Sequence, residues 1–171
     1  MGDLYLGNPN LKSVGVPVEW TDESVTEFVK CSKNLRYFIN NYVQIIHVDR
    51  GLVPFEMYDY QNDMIDKFEN NRFVICKMPR QTGKSTTIIA FLLHYVLFNE
   101  NVNVAILANK GAVARELLGR LQLAYEHLPK WLQQGVVIWN KGNIELENGS
   151  KILASATSGS AVRGSSFNII F

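Results

Sequence analysis

Between residues 72 and 128 the chain alternates short apolar segments with longer segments whose apolar residues recur at helical spacing. Residues 72–77 (RFVICK) and 103–108 (NVAILA) are rich in β-branched and aromatic side chains, which favours buried strands. Residues 84–98 and 110–128 have apolar positions three and four apart, which is typical of helices packed on one face. This alternating order predicts an α/β fold with a parallel sheet and right-handed crossovers.

The last third of the sequence predicts antiparallel pairing beside the parallel strands. Short strand-like segments cover residues 136–139, 143–147 and 151–155. The dipeptide Asn148-Gly149 lies between the last two and predicts a tight hairpin in which both turn residues have positive φ. A further apolar strand begins at Phe167. We therefore expect a parallel sheet with flanking helices and one antiparallel hairpin.

The N-terminal region is predicted to be an arm followed by helices. Glycines and prolines through residues 1–20 indicate an extended, mostly surface segment. Thr21 is a favourable cap for a helix whose first turn carries two acidic residues. Apolar periodicity predicts a second helix over residues 35–46, and a third, shorter helix is predicted over residues 58–70.

Composition excludes several classes of protein. The 171 residues carry 17 basic and 16 acidic side chains, so the net charge of +1 excludes a generally basic nucleic-acid-binding coat, though not a local basic patch. Cys31 and Cys76 form no CxxC motif, so we expect no zinc site and a reducing, intracellular compartment. We expect no secretory leader, because residues 1–12 contain no apolar run long enough for one. We also expect no membrane association, because the longest apolar run, residues 88–98, is too short to cross a bilayer.

The turn after the first predicted strand carries the chemistry. Residues 78–86 read MPRQTGKST, which matches the phosphate-binding P-loop pattern G-x-x-x-x-G-K-[ST] except that Met78 replaces the first glycine. Successive backbone N–H groups and the positive end of the following helix suit a triphosphate. In this pattern Gly83 permits close backbone approach, Lys84 contacts the β- and γ-phosphates, and the Ser85 hydroxyl ligates Mg²⁺.

The sequence therefore predicts a P-loop nucleoside triphosphatase that uses Mg²⁺. The predicted nucleotide-binding residues of the loop are Arg80, Gln81, Thr82, Gly83, Lys84, Ser85 and Thr86. Arg80 is either solvated or a cation beside the γ-phosphate, where it stabilises charge that develops during cleavage. Arg163, in the small-residue loop 158–164, is either a surface residue or a second such cation, in its own site or in that of a neighbouring subunit.

Two residues upstream of the loop suit an adenine base. Tyr60 and Gln61 lie at the start of a predicted helix. A glutamine amide can both donate to and accept from an adenine edge, and a tyrosine ring can stack on its face. The pair resembles the adenine clamp of helicase-like ATPases, which makes ATP the expected nucleotide. The alternative for Tyr60 is simple packing.

Other candidate residues favour packing over function. The three histidines, His47, His94 and His127, have no metal-ligand spacing, and His94 lies on an apolar helix. Trp131 and Trp139 each have a lysine nearby and are candidates for nucleic-acid contact, but amphipathic packing is the favoured interpretation.

Five segments together resemble the large terminase subunit of T-even-like tailed phages, in particular of myoviruses of cyanobacteria. These segments are FEMYDYQNDMI, RFVICKMPRQTGKSTT, NVAILANKGAVARELLGRLQ, LPKWLQQGVVIWNKGNIELENGSKI and SAVRGSSFNIIF. The R-Q-x-G-K-[ST] form of the P-loop is typical of that family, which accounts for Met78. The resemblance covers nearly the whole chain.

The resemblance implies a DNA-packaging motor of the ASCE, RecA/helicase-like class. In that family ATP hydrolysis moves double-stranded DNA into an empty prohead, and a separate C-terminal nuclease domain cuts the DNA. The positions that match the family's site are Tyr60, Gln61, Arg80, Gly83, Lys84, Ser85 and Arg163. Among them Arg80, Lys84 and Arg163 are the expected catalytic residues, with Arg163 as an arginine finger between neighbouring subunits of a ring.

The same resemblance implies partners and a location. The expected partners are double-stranded DNA, the portal protein of the prohead, the small terminase subunit and other copies of the chain. The expected location is the cytoplasm of the infected bacterial host, with transient docking on the prohead and absence from the mature virion.

In the family, the strand that begins at Phe167 ends in an Asp-Glu pair that orients Mg²⁺ and the attacking water, whereas this sequence stops at Phe171. We therefore expect residues 1–50 to form an N-terminal arm and helical region, and residues 51–171 a partial ATPase domain without the nuclease. An incomplete sheet with a gap or open edge is expected, with poor solubility and little or no ATP hydrolysis by this chain alone.

Two alternatives stay open at this point. A helicase-type DNA-dependent ATPase shares the glutamine clamp and the P-loop. A non-catalytic protein would bind nucleotide or partner subunits without turnover. A P-loop kinase is disfavoured because the sequence has no lid or acceptor-substrate signature.

Overall fold

A computed structural model describes residues 3–157, Gly164 and residues 166–171. The helices are α1 (Asp22–Lys33), α2 (Leu35–Tyr42), α3 (Asp59–Asn70), α4 (Lys84–Phe98) and α5 (Gly111–Glu126). The strands are β1 (Gln44–His47), β2 (Gly51–Pro54), β3 (Asn103–Ala108), β4 (Val136–Trp139), β5 (Asn143–Leu146), β6 (Lys151–Ala156) and β7 (Ile169–Ile170). No helix among these residues is long and apolar enough to span a membrane.

Five of the strands form one mixed sheet in the order β4-β5-β6-β3-β7. β3 runs parallel to both of its neighbours, with Ile106 opposite Ala154 on β6 and Val104 opposite Ile169 on β7. β4, β5 and β6 pair in antiparallel fashion. The α/β class is therefore confirmed, but the sheet is mixed rather than parallel because three of its five strands belong to the antiparallel part.

The prediction of a strand at residues 72–77 is wrong. This segment is not a strand and has no partner among the described residues. Phe73 is 82% exposed and Ile75 is 96% exposed. A strand forms only where a second backbone supplies hydrogen bonds, and the described sheet ends at β7 without reaching this segment. β-Branched residues favour a buried position in a pleated sheet, but their presence in a sequence does not show that a partner strand exists.

The first helices show one confirmed boundary and one error. α1 begins as predicted, because Ser24 N donates to Thr21 Oγ1 (3.1 Å) and Thr21 N donates to Ser24 Oγ (2.9 Å), which closes a capping box. α2 ends at Tyr42, whereas the helix was predicted to continue through Ile46. Ile45 and Ile46 instead lie in β1 and pair with β2, since β-branched residues suit an extended ladder once a partner strand is present.

The turn between β5 and β6 has a different geometry from the one predicted. Gly149 has a φ of +79°, but Asn148 is not among the residues with positive φ. Gly149 N donates to Leu146 O (2.9 Å), and Leu146 N donates to Ser150 O (2.9 Å). The loop therefore has three residues and ends in a left-handed glycine, a common alternative to the two-residue hairpin.

One apolar core joins the helices to the sheet. α4 is apolar on nearly all sides because α2, α3 and α5 pack around it, and α5 covers β3 and β6. Fully buried members of this core include Phe38, Ile39, Leu92, Leu93, Ile106, Leu118, Tyr125 and Ile152. The predicted division at residue 50 stays a prediction; β1 and β2 pair across it, and the core draws residues from both sides.

The N-terminal arm is mostly exposed, as predicted, but residues 10–15 are anchored to the rest of the protein, in part by hydrogen bonds from Val136 N to Lys12 O (2.9 Å) and from Gly15 N to Glu147 Oε1 (2.9 Å). Leu11 is buried in the core. The buried Gln133 amide donates to Asn10 O (2.9 Å) and to Leu128 O (3.1 Å), and its Oε1 accepts from Lys12 N (3.3 Å). These bonds fasten the arm to the end of α5.

Candidate functional site

The loop before α4 bends sharply and closes on itself. Gln81 and Gly83 both have left-handed backbone conformations, with φ of 63° and 71°, and Thr82 lies between them. The left-handed conformation is uncommon for a non-glycine residue such as Gln81. Thr82 Oγ1 donates to Pro79 O (3.1 Å), which closes the loop from inside.

The Lys84 side chain folds back into this loop. Its ammonium donates to Met78 O (3.2 Å) and to Pro79 O, and it lies 3.4 Å from Thr82 Oγ1. The only lysine of the motif is therefore held by carbonyls of the residues that precede it. This is the position from which a point charge can meet a polyphosphate seated on the loop.

The N-terminus of α4 has no side-chain cap. Its N-cap is Gly83, whereas α1 and α2 are capped by Thr21 and Asn34. The first N–H groups of any helix lack intrahelical acceptors, and the helix dipole places partial positive charge there. Thr87, which is fully buried, donates through Oγ1 to Gly83 O (3.1 Å) and fixes the first turn. This end of α4 suits an anion.

The first turn of α3 packs directly on the loop. The Tyr60 hydroxyl donates to Thr82 O (3.0 Å). Gln61 is 2% exposed, and its Oε1 accepts from Tyr58 N (2.9 Å). A Cβ at Gly83 would lie 2.5 Å from Gln61 Nε2, so the amide is pressed against the glycine. Tyr60 and Gln61 therefore lie beside this loop, with Gln61 Oε1 bonded to Tyr58 N and Gln61 Nε2 close to Gly83. Their contact with an adenine base stays a prediction.

Tyr58 also contributes to this site and was not predicted to. Its ring is stacked on that of Tyr60, with centroids 5.6 Å apart and planes at 14°. One face of the Tyr60 ring is thus partly covered by Tyr58, and Tyr60 as a whole is 37% exposed. The sequence signal was present, since Tyr58 and Tyr60 both flank the start of the helix, but their stacking depends on the backbone turn that begins α3.

The structure describes one of the two predicted arginines. Arg80 is exposed, and neither a hydrogen bond nor an ion pair of its guanidinium occurs among the described residues. Arg163 lies outside the described residues. Gln81 is exposed, and Ser85 and Thr86 are half-buried in the first turn of α4.

The donor set fits Mg²⁺ only in company with a phosphate. Within the described parts of the chain, no three His, Cys, Asp or Glu side chains cluster in a way that could hold a metal ion. The Ser85 hydroxyl, at the open end of α4, is the protein oxygen that the motif offers. Because Mg²⁺ prefers six oxygen ligands, phosphate oxygens and water must supply the others.

The tryptophans and His94 pack as predicted. Trp131 packs edge-on against Tyr42 with centroids 5.4 Å apart, and Trp139 packs on Tyr125 at 5.0 Å. His94 Nε2 lies 2.9 Å from Cys31 O, and burial lowers its pKa. None of these side chains needs a ligand to account for its position.

The comparison with known families decides the identity. A family described as terminase large subunit, T4likevirus-type, N-terminal, matches residues 75–171, which is more than half of the chain and includes the whole loop. The chain belongs to this family of large terminase subunits. Membership decides against the helicase-type alternative. The match does not assign a role to any single residue.

A solved structure supports the terminase fold. The crystal structure of the HK97 bacteriophage large terminase is similar, with 20% sequence identity and a TM-score of 0.65. The similarity covers 81% of this terminase chain but 30% of the HK97 chain. This chain therefore spans about 30% of the length of the terminase that it matches. At that identity the likeness shows a shared fold and no more.

Proposed function

We propose that this terminase chain binds Mg²⁺–ATP on the loop 78–86 and forms the nucleotide-binding part of a motor that packages phage DNA. The observation that carries the proposal is the Lys84 ammonium folded into its own loop, beside a helix end that no side chain caps. Family membership supports the wider role.

The proposed binding step is an exchange of partners. The polyphosphate displaces the carbonyls of Met78 and Pro79 as the partner of the Lys84 ammonium. The first N–H groups of α4 donate to its oxygens, since they have no acceptor within the helix. Mg²⁺, when bound with the nucleotide, neutralises phosphate charge, and the Ser85 hydroxyl is its protein ligand. Arg80, which is an exposed residue of the loop itself, is free to turn toward the γ-phosphate.

The wider assembly is also a proposal. The proposed partners are double-stranded DNA, a portal protein, a small terminase subunit and further copies of the chain in a ring. Arg163 is the proposed cation for a neighbouring subunit's site. The proposed location is the cytoplasm of an infected bacterium, docked on the prohead during packaging.

Calorimetric titration of the chain with Mg²⁺–ATP tests the nucleotide site. Lys84→Ala should weaken binding about 10-fold or more, because a hydrogen bond from a charged donor contributes about 1.5–3 kcal/mol. Lys110→Ala is the matched control, because Lys110 is an exposed lysine at the N-terminus of another helix, α5. Equal affinities for the two variants would refute the proposed site.

An ATPase assay on the same samples addresses turnover. Phosphate release that depends on Lys84 would show that the chain is itself a hydrolase. Binding without release would favour the expectation of little hydrolysis and the non-catalytic alternative.

A further inference from the structure

We propose that Tyr60 is a positioning residue that sets the conformation of the phosphate-binding loop through the carbonyl of Thr82. The inference rests on the proposed function and assigns to Tyr60 a role besides contact with a base. It starts from the hydrogen bond between the Tyr60 hydroxyl and Thr82 O, which is 3.0 Å long and joins two elements separated by 22 positions in sequence.

The hydrogen bond from Tyr60 contacts the part of the loop in which the backbone is left-handed. Thr82 lies between Gln81 and Gly83, whose φ angles of 63° and 71° are both left-handed. A trans peptide is planar, so its C=O and N–H groups point in opposite directions. When Tyr60 holds the carbonyl of Thr82 toward α3, the N–H of Gly83 is fixed pointing away from α3. The direction of a donor at the open end of α4 thus depends on a side chain of α3.

α3 is a firm base for this bond. Arg36 of α2 donates to Asn62 O (3.2 Å) and pairs with Asp66, both on α3. Farther along, the rings of Phe68 on α3 and Phe91 on α4 are in contact, with centroids 5.4 Å apart. A helix held in this way to its neighbours can transmit a constraint to the loop, which a mobile helix could not do.

Gln61, the next residue of α3, also contacts the loop. Its Nε2 occupies the space that a Cβ at Gly83 would enter, and its Oε1 is bonded to Tyr58 N. Two adjacent residues of α3 therefore contact two adjacent residues of the loop. One contact is polar and directed, and the other is close packing.

A stacking role and a positioning role for Tyr60 require different atoms. Stacking on a base needs the ring, whereas positioning needs the hydroxyl. Tyr60→Phe keeps the ring and removes the hydroxyl, so it separates the two roles. Tyr95→Phe is the matched control, because it keeps the ring and removes a hydroxyl of α4, far from the loop, for which no hydrogen bond occurs among the described residues.

The first measurement titrates the full 171-residue chain with Mg²⁺–ATP and with Mg²⁺–tripolyphosphate, which has no base. Tyr60→Phe should weaken both ligands by the same factor, about 2- to 10-fold, which corresponds to the loss of one hydrogen bond. Tyr95→Phe should leave both affinities unchanged. Unchanged binding of tripolyphosphate to Tyr60→Phe would overturn the inference and leave Tyr60 as a base contact or a packing residue.

The second measurement needs no ligand. In the free protein, Tyr60→Phe should shift the ¹⁵N–¹H resonances of Gly83 and Lys84 and speed their hydrogen exchange, while the melting temperature falls by only a few degrees, as expected for the loss of one hydrogen bond. Amide behaviour identical to that of Tyr95→Phe would also overturn the inference. If the wild-type chain binds neither ligand, the proposed function fails, while this amide comparison still decides the role of Tyr60.

Discussion

Replacing Gly83 by alanine perturbs the contact between α3 and the loop at a single atom. Gly83 has a φ of +71°, and an added Cβ would lie 2.5 Å from Gln61 Nε2. Atoms do not approach so closely, so either Gln61 or the loop must move. Gln61 is 2% exposed and its Oε1 is bonded to Tyr58 N, so it has little room.

The cost follows from these two features. A left-handed conformation costs an alanine about 1–2 kcal/mol. Displacing Gln61 removes its hydrogen bond to Tyr58, which contributes about 0.5–1.5 kcal/mol. The lower entropy of an unfolded chain with alanine offsets about 0.4–1 kcal/mol. We expect Gly83→Ala to lower the free energy of unfolding by about 1–3 kcal/mol.

Urea denaturation of matched variants isolates the contact with Gln61. Gly51 has a φ of +68°, nearly that of Gly83, but open space surrounds its would-be Cβ. Gly51→Ala therefore carries the backbone cost alone and should destabilise the protein by about 0.5–1.5 kcal/mol less than Gly83→Ala. In a Gln61→Ala background this difference should vanish. Equal destabilisation by the two glycine variants in the wild-type background would refute the contact.

Three further predictions address other parts of the chain. Joint replacement of Phe73 and Ile75 by serine should raise solubility, measured by ultracentrifugation, and change the free energy of unfolding by less than about 0.5 kcal/mol; a larger loss would mean that the segment is buried. Hydrogen bonds from Lys30 and two tyrosines lower the pKa of Glu27 to about 2, so its stabilising effect is complete above its ordinary pKa of about 4.5 and is lost as the pH falls through about 2. Glu27→Gln should thus destabilise the protein in urea at neutral pH and progressively less in acid, and a pH-independent effect would contradict this. Gln133→Ala should cost about 2–3 kcal/mol in urea denaturation because it leaves buried partners unsatisfied, and a cost below about 1 kcal/mol would show that water replaces the amide.

The helices and strands that were predicted correctly are determined by residues within or next to each element. The bounds of α4 and β3 agree with the sequence because the apolar run of each ends at polar or turn-forming residues. The start of α1 is encoded in Thr21 and its capping partner. The turn that directly precedes α4 was predictable for the same reason, since the residues that form it are contiguous in the chain, and its role in binding phosphate stays a prediction.

The errors in secondary structure occur where the conformation of a segment depends on a partner strand, because the local sequence does not show whether that partner is present. Residues 72–77 have the composition of a strand but no strand beside them, and residues 45–46 fit a helix until β2 pairs with them. The position of Gln61 also depends on packing between elements, although its predicted contact with adenine stays a prediction. Whether its amide meets a base or Gly83 is set by how closely α3 packs on the loop, which no local pattern reports.

The bonds between the Lys84 ammonium and its own loop have a consequence for kinetics. While no anion is present, this charge is not left bare, because backbone oxygens of Met78 and Pro79 take the place of solvent around it. Under the proposed function, an incoming polyphosphate must replace these oxygens as the partner of the ammonium, which lowers the net gain from binding. The same oxygens remain close enough to accept from the lysine again when the anion leaves, so the proposed site would favour fast exchange of its ligand over tight binding.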